Sequence, residues 1–190
     1  MNKTLPTIIL SLAIIAIVAG CGPRGKLTVE EKRDKFVEME TETLARLYKE
    51  SPGTKDKIAK AVGYATFANA NVNVIFVSAG GGYGSVVENA TGKRTYMKMA
   101  MGGVGLGLGA KDYRVVMIFK DKATLDKFIE SGWDAGAHAD AAAKAGETGA
   151  EVSAEGDIRS GIEVYSMTES GLALQATITG TKYWKDNTLN

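Results

Sequence analysis

Glycine occupies every second position from residue 103 to residue 109, in the run Gly103-Val-Gly-Leu-Gly-Leu-Gly109. A side-chain period of two is that of a β-strand, so the run predicts a strand with Val104, Leu106 and Leu108 on one face. The other face carries no side chains, which lets a second backbone approach closely or lets the strand bend at a barrel corner. Glycine makes up 23 of the 190 residues, well above the usual share of about 7%. A sheet with close backbone contacts is therefore expected.

Runs of β-branched and aromatic residues predict further strands on both sides of this segment. Val72–Ala79 and Tyr113–Phe119 are strongly apolar, and Gly80–Gly84 must be a turn or a closely packed backbone. Two hairpins are predicted from strand-like runs separated by turn-forming residues: Ser85–Glu88 with Thr95–Met101, and Ile162–Met167 with Leu172–Thr179.

Helices are predicted before and after the central strands. Thr28 and Glu31 have the spacing of a capping box, and apolar residues then recur at helical spacing until Ser51-Pro52-Gly53 ends the helix. A second short helix is predicted over Lys55–Val62 and a third over Asp121–Glu130.

These elements predict an α+β fold with residues 27–190 as a single domain. The N-terminal helices precede a glycine-rich, mostly antiparallel β-sheet, closed or nearly closed into a barrel or sandwich, with one further helix near residues 121–131. Residues 133–143 fit a helix by alanine content and a strand by their period of two. Met97, Met99 and Met101 alternate along one strand, where they either pack in the core or line an adaptable lipid pocket.

The N-terminus has the pattern of a bacterial lipoprotein signal. Lys3 precedes an apolar stretch from Leu5 to Ala19, which has the length of a signal peptide and falls short of a membrane span. Val18-Ala19-Gly20-Cys21 resembles a lipobox, so residues 1–20 are predicted to be removed and Cys21 to carry acyl chains such as palmitate. Residues 21–26 then form a lipidated tether, and Gly22 favours the outer membrane, facing the periplasm. A signal anchor with an unmodified Cys21 is the alternative.

Composition argues against several classes of protein. One His and one Cys are too few for a disulfide framework, a Cys/His zinc site or a Cys–His nucleophile pair. Near-equal numbers of basic and acidic residues, 23 and 22, argue against a nucleic-acid binder. His138 is the single imidazole and has no nucleophile at a useful spacing. The sequence therefore predicts no catalytic residues, metal or cofactor, and a protein that is not an enzyme.

Charge is unevenly distributed along the mature chain. Residues 93–122 contain seven basic and two acidic side chains, whereas residues 134–170 contain two basic and eight acidic ones. One interpretation is a basic face for phospholipid headgroups, and the other is an ordinary solvated surface. The candidate headgroup ligands on such a face are Lys93, Arg94, Lys98, Lys111 and Arg114.

The glycine run Gly80–Gly84 is a second candidate for phosphate binding. Backbone N–H groups at Gly81, Gly82 and Tyr83 could face a phosphate, as they do in backbone nests. The run lacks the residues of a P-loop and of a dinucleotide-binding fingerprint. The competing interpretation is tight packing between strands.

The ordered set of these segments resembles the SYLF family of lipid-binding domains, also called YSC84-related. The resemblance covers roughly residues 55–182 and rests on five segments: Gly63-Tyr-Ala-Thr-Phe, Val74-Ile-Phe-Val-Ser-Ala-Gly-Gly-Gly-Tyr-Gly84, Thr91-Gly-Lys-Arg-Thr-Tyr-Met-Lys-Met99, Gly102-Gly-Val-Gly-Leu-Gly-Leu-Gly109 and Asp112-Tyr-Arg-Val-Val-Met-Ile-Phe119.

The resemblance implies binding rather than catalysis. Eukaryotic members bind phosphoinositide-rich membranes, and the animal domains use a basic amphipathic N-terminal helix to do so. Residues 29–50 here hold five basic and seven acidic side chains. The acyl anchor is therefore expected to replace that helix. The resulting expectation is an envelope lipoprotein that binds phospholipid or phosphorylated-lipid headgroups. The alternative is a non-catalytic structural lipoprotein with an envelope protein partner.

Overall fold

A computed structural model describes residues 27–132, 157–159, 161–168, 171–173 and 181–190. Its helices are α1 (Val29–Glu50), α2 (Thr54–Lys60) and α3 (Lys122–Ser131). The predicted capping box is confirmed, because the Thr28 hydroxyl accepts from the Glu31 N–H while the Glu31 carboxylate accepts from the Thr28 N–H. In the described ranges, no helix combines the length and the apolar character needed to cross a membrane.

The predicted central strands merge into one long hairpin. β1 (Gly63–Glu88) and β2 (Arg94–Phe119) each contain 26 residues, and a short turn containing Gly92 joins them. Gly80–Gly84 is therefore part of a strand and not a turn, and the alternating glycines of residues 103–109 lie within β2. Four shorter strands follow: β3 (Asp157–Arg159), β4 (Ile162–Thr168), β5 (Gly171–Ala173) and β6 (Thr181–Lys185).

All pairings in the six-stranded sheet are antiparallel, which confirms the α+β fold. β2 is the central strand: it pairs with β1 along its length, with β6 over residues 97–101 and with β4 over residues 113–119. The β4–β5 pair confirms the start of the second predicted hairpin, and residues 174–179 lie outside the described residues. The predicted closure into a barrel is wrong for the described strands, because the strand order runs from β1 at one end to β3 at the other.

The two halves of β1 approach each other at a stripe of glycines. A Cβ atom on Gly82 would overlap the carbonyl oxygen of Ala68. A Cβ atom on Gly84 would lie 2.7 Å from Phe67 Cγ. These separations are shorter than real Cβ contacts, so only glycine permits this approach.

The sheet has a core on each of its two faces. One cluster packs β1 and β2 against α3 and includes Phe67, Met97, Met99, Phe128 and Tyr183. Met97 and Met99 thus pack in the core, as one of the two interpretations expected. The second cluster packs the other face against α1 and α2 and includes Leu47, Ile58, Val116, Ile118 and Tyr165.

Candidate functional site

The candidate headgroup ligands lie along β2 and the turn before it, but their surroundings differ. Lys93 is exposed in the turn, and Arg94 forms a part-buried ion pair with Glu40. The Lys98 ammonium lies 3.2 Å from Asp186, a buried carboxylate. Arg114 is half-buried in β2. The side chain of Lys111 is not among those that the structure describes.

The glycine candidates lie inside the sheet. Gly81 is opposite Ala100 and Gly82 is opposite Met99 in the β1–β2 ladder, so this backbone is extended and paired with β2. The Tyr83 ring packs against Phe36 of α1 with ring centroids 4.8 Å apart. Burial raises the pKa of the Tyr83 hydroxyl, and the nearby positive charges of Arg114 and Lys35 only partly offset this effect.

A groove of about 420 Å³ collects basic side chains from three parts of the chain. We call it the basic groove and define it by six of its lining residues: Arg33, Lys93, Arg94, Tyr96, Lys185 and Asn190. Arg33 comes from α1, the next three residues from the hairpin turn and β2, and the last two from β6 and the segment after it. The groove exists only where these elements meet.

Hydrogen bonds hold the three elements together at the groove. Arg33 donates to the Leu189 carbonyl through Nε at 3.0 Å and Nη2 at 2.7 Å, and its guanidinium lies 5.6 Å from the centre of the Tyr96 ring. The Asn190 side chain accepts from the Tyr96 N–H at 2.9 Å and donates to the Tyr96 carbonyl at 2.8 Å. Arg33 therefore has a fixed position over β2.

Three cations of the basic groove have no carboxylate partner among the described residues. Lys93 and Lys185 are exposed, and Arg33 bonds a neutral carbonyl. None of the three forms an ion pair with an acidic side chain in the described part of the chain. Their positive charge is therefore available to an anion in the groove.

Arg94 differs from these three because Glu40 of α1 neutralises its charge. Nη1 and Nη2 of Arg94 donate to the two carboxylate oxygens of Glu40, and Nη1 also donates to the Ser85 hydroxyl at 2.7 Å. Glu40 accepts two further bonds, from the Tyr64 hydroxyl at 3.0 Å and the Ser85 hydroxyl at 3.2 Å. Burial and the Glu40 charge raise the pKa of Tyr64, which therefore stays protonated and continues to donate.

A second buried carboxylate joins α2 to β4. Glu163 accepts from Lys57 at 2.7 Å and from the Tyr165 hydroxyl at 2.5 Å, and Lys120 lies 3.5 Å away. Burial acts to raise the pKa of Glu163, but these hydrogen bonds and positive charges outweigh it and hold the pKa below its usual range. The cluster resembles the Glu40 cluster in chemistry but does not line the basic groove.

The structure thus brings together two of the predicted residues, Lys93 and Arg94, and adds residues that the sequence did not indicate. Arg33 lies in a helix whose overall charge is acidic, and Lys185 and Asn190 are distant in sequence. Only the packing of α1 and β6 on β2 places them beside the hairpin. Cys21 and His138 lie outside the described residues.

Comparisons with known proteins identify relatives of the chain. Residues 100–190 match the Ysc84 family model, which is described as Las17-binding protein actin regulator. A protein of Aeromonas veronii named Beta cell expansion factor A is 38% identical over 162 residues, which are 85% of this chain. The chain spans 60% of the length of that relative.

Proposed function

The chain belongs to the Ysc84 (SYLF) family, and on that premise we propose that it is a lipid-anchored protein of the bacterial envelope. In this proposal it binds the headgroups of phospholipids or of other phosphorylated lipids at the basic groove. The observation that carries the proposal is the convergence of Arg33, Lys93 and Lys185, none of which pairs with a described carboxylate. The proposed ligand is the headgroup phosphate.

The magnitude of the headgroup contact indicates why an anchor is needed. A basic side chain near an anionic bilayer contributes about 1 kcal/mol, so three contribute about 3 kcal/mol. That energy corresponds to weak binding on its own. Acyl chains on Cys21 would hold the groove at a high effective concentration next to the headgroups.

The position of the groove fits an anchor at Cys21. The eight residue-to-residue steps from Cys21 to Val29 span at most about 28 Å when fully extended. Arg33 lies four residues into α1, which is about 6 Å along the helix axis. The basic groove is therefore within reach of the surface to which Cys21 would be attached.

The exposed side of α1 favours one orientation on the membrane. Five acidic residues of its first four turns are exposed: Glu30, Glu31, Asp34, Glu38 and Glu42. An anionic bilayer repels this acidic surface and attracts the basic groove. The proposed orientation therefore places the groove against the headgroups and the acidic side of α1 away from them.

Vesicle flotation tests the headgroup contact. The chain from Gly22 onward retains every described helix and strand and lacks the apolar leader. At lipid concentrations high enough to compensate for the missing anchor, we expect it to float with vesicles of phosphatidylcholine and phosphatidylglycerol and not with phosphatidylcholine alone. The double variant Lys93→Glu/Lys185→Glu should bind at least about thirtyfold more weakly, since each lysine contributes about 1 kcal/mol and each glutamate adds repulsion from the anionic bilayer.

Lys55→Glu/Lys60→Glu is the matched control, because both lysines are exposed on α2 and the charge change is identical. Equal losses in the two double variants would mean that net charge, and not the groove, governs binding. An unaltered protein that ignores anionic vesicles and instead crosslinks to one envelope protein in cells would favour the alternative, a protein-interaction lipoprotein.

The anchor has its own test. We expect the full-length chain expressed in a bacterium to incorporate labelled palmitate and to sediment with membranes. Cys21→Ser should abolish the label, because a hydroxyl does not replace the thiolate that accepts the diacylglyceryl group. Persistence of the label in Cys21→Ser, or its absence from the unaltered chain, would contradict lipidation at Cys21.

A further inference from the structure

We infer that Glu40 is a positioning residue of the basic groove. Glu40 holds Arg94 so that part of the Arg94 guanidinium is available to an oxyanion. This inference rests on the proposed function of the groove. A guanidinium carries five N–H groups, and three of them donate to Glu40 and Ser85.

The two remaining N–H groups lie on one edge of the guanidinium. Glu40 and Ser85 use both hydrogens of Nη1 and one hydrogen of Nη2. The Nε hydrogen and the second Nη2 hydrogen have no acceptor among the described residues. These two donors are parallel and match a pair of oxygens on a phosphate or carboxylate. Arg94 lines the groove, and we place two oxygens of the bound anion at this edge.

Burial makes the position of Arg94 dependent on Glu40. The Arg94 side chain is 21% exposed and that of Glu40 is 8% exposed. Glu40 is fixed in turn by the Tyr64 and Ser85 hydroxyls. Without the carboxylate, the guanidinium would lose its strongest partner and would gain rotamer freedom, at a cost in affinity for any ligand that needs it ordered.

Positioning by Glu40 and net charge predict opposite changes in anion affinity when Glu40 is neutralised. Glu40→Gln adds one unit of positive charge next to the groove, so Coulomb attraction alone would strengthen anion binding. If Glu40 positions Arg94, the variant instead binds more weakly, by about tenfold, because a bidentate charge-assisted contact is lost. Structural loss would also weaken binding, so Glu40→Gln must be compared with a variant that loses a similar buried carboxylate away from the groove.

The experiment titrates vesicles of phosphatidylcholine and phosphatidylglycerol, and separately inorganic phosphate, into the chain from Gly22 onward. Glu40→Gln is compared with Glu163→Gln, which removes a buried, ion-paired carboxylate and adds the same charge away from the groove. We expect weaker binding in Glu40→Gln and unchanged or slightly stronger binding in Glu163→Gln. Both proteins should show reduced melting temperatures, so stability alone cannot explain a difference. Loss in the vesicle arm alone assigns the oxyanion to a lipid headgroup, and loss in both arms assigns it to phosphate from either source.

A second variant separates positioning from a direct role of Glu40. Arg94→Gln should weaken binding about as much as Glu40→Gln, and the double variant should be no weaker than either single variant, because both act through one group. Binding by Glu40→Gln that equals or exceeds that of the unaltered chain would overturn the inference while leaving the groove as a headgroup site. Absence of binding by the unaltered chain would overturn both proposals.

Discussion

Gly84→Ala should lower the free energy of unfolding by about 3 kcal/mol, at the upper end of the usual cost of overpacking. The added methyl would overlap the Thr66 carbonyl oxygen and would lie 2.7 Å from Phe67 Cγ. Neither group can move easily, since Thr66 belongs to the β1–β2 ladder opposite Val116 and Phe67 is fully buried. The two halves of β1 must therefore separate. Urea denaturation monitored by circular dichroism measures the change.

Gly102→Ala is the control for this prediction. Gly102 is also a strand residue, but it is exposed and a Cβ atom there would have no neighbour within 4 Å in the part of the chain that the structure describes. We expect its stability to change by no more than about 0.5 kcal/mol. Similar losses in the two variants would show that glycine in the hairpin matters for backbone flexibility and not for the close approach of the two halves of β1.

Arg94→Met should also destabilise the protein by about 3 kcal/mol. The substitution leaves Glu40 buried with two hydroxyl donors and no cation, and an uncompensated buried carboxylate is costly. Exchanging both partners, in Arg94→Met/Glu40→Met, should recover about half of the loss, because the buried charge is gone while Tyr64 and Ser85 lose an acceptor. Thermal and urea unfolding of the single and double variants measure these differences.

Arg46→Met provides the comparison with a surface ion pair. Arg46 contacts Glu50 one turn away on α1 at 2.9 Å, and both side chains are partly exposed. Its loss should cost about 0.5 kcal/mol. If Arg94→Met costs as little, or if the double variant is less stable than Arg94→Met, an unpaired Glu40 carboxylate is not the source of the loss.

Local patterns in the sequence were sufficient for most of the secondary structure. The capping box at Thr28 and Glu31, the helix end at Ser51 and the hairpin around Gly92 each depend on neighbouring residues only. What was not predictable locally was that Val72–Ala79, Gly80–Gly84 and Ser85–Glu88 form one strand. Glycine is compatible with a turn and with a strand, and only pairing with β2 selects the strand.

The basic groove also combines features that the local sequence predicts with features that only the fold decides. The charge distribution along the sequence predicted Lys93, Arg94 and Lys98 as equivalent ligands. In the structure, Arg94 is paired with Glu40 and Lys98 with Asp186. These partners are separated from them by 54 and 88 positions along the chain. Whether a cation is free or neutralised depends on such distant partners, and no local sequence pattern reports them.

The sequence by itself determined the helices, the strand-forming segments, the family resemblance and the segment in which basic residues concentrate, because periodicity, caps and turn residues act between near neighbours. The tertiary structure alone decided which cations are available and which glycines carry the close contact. Arg33, Lys93 and Lys185 meet only when α1 and β6 pack on β2. Gly82 and Gly84 are required only because the two halves of β1 approach each other closely. The meeting of these cations and the close approach at these glycines both require distant chain segments to come together. Burial of the two hydrophobic cores brings them together, and its free energy depends on the whole fold.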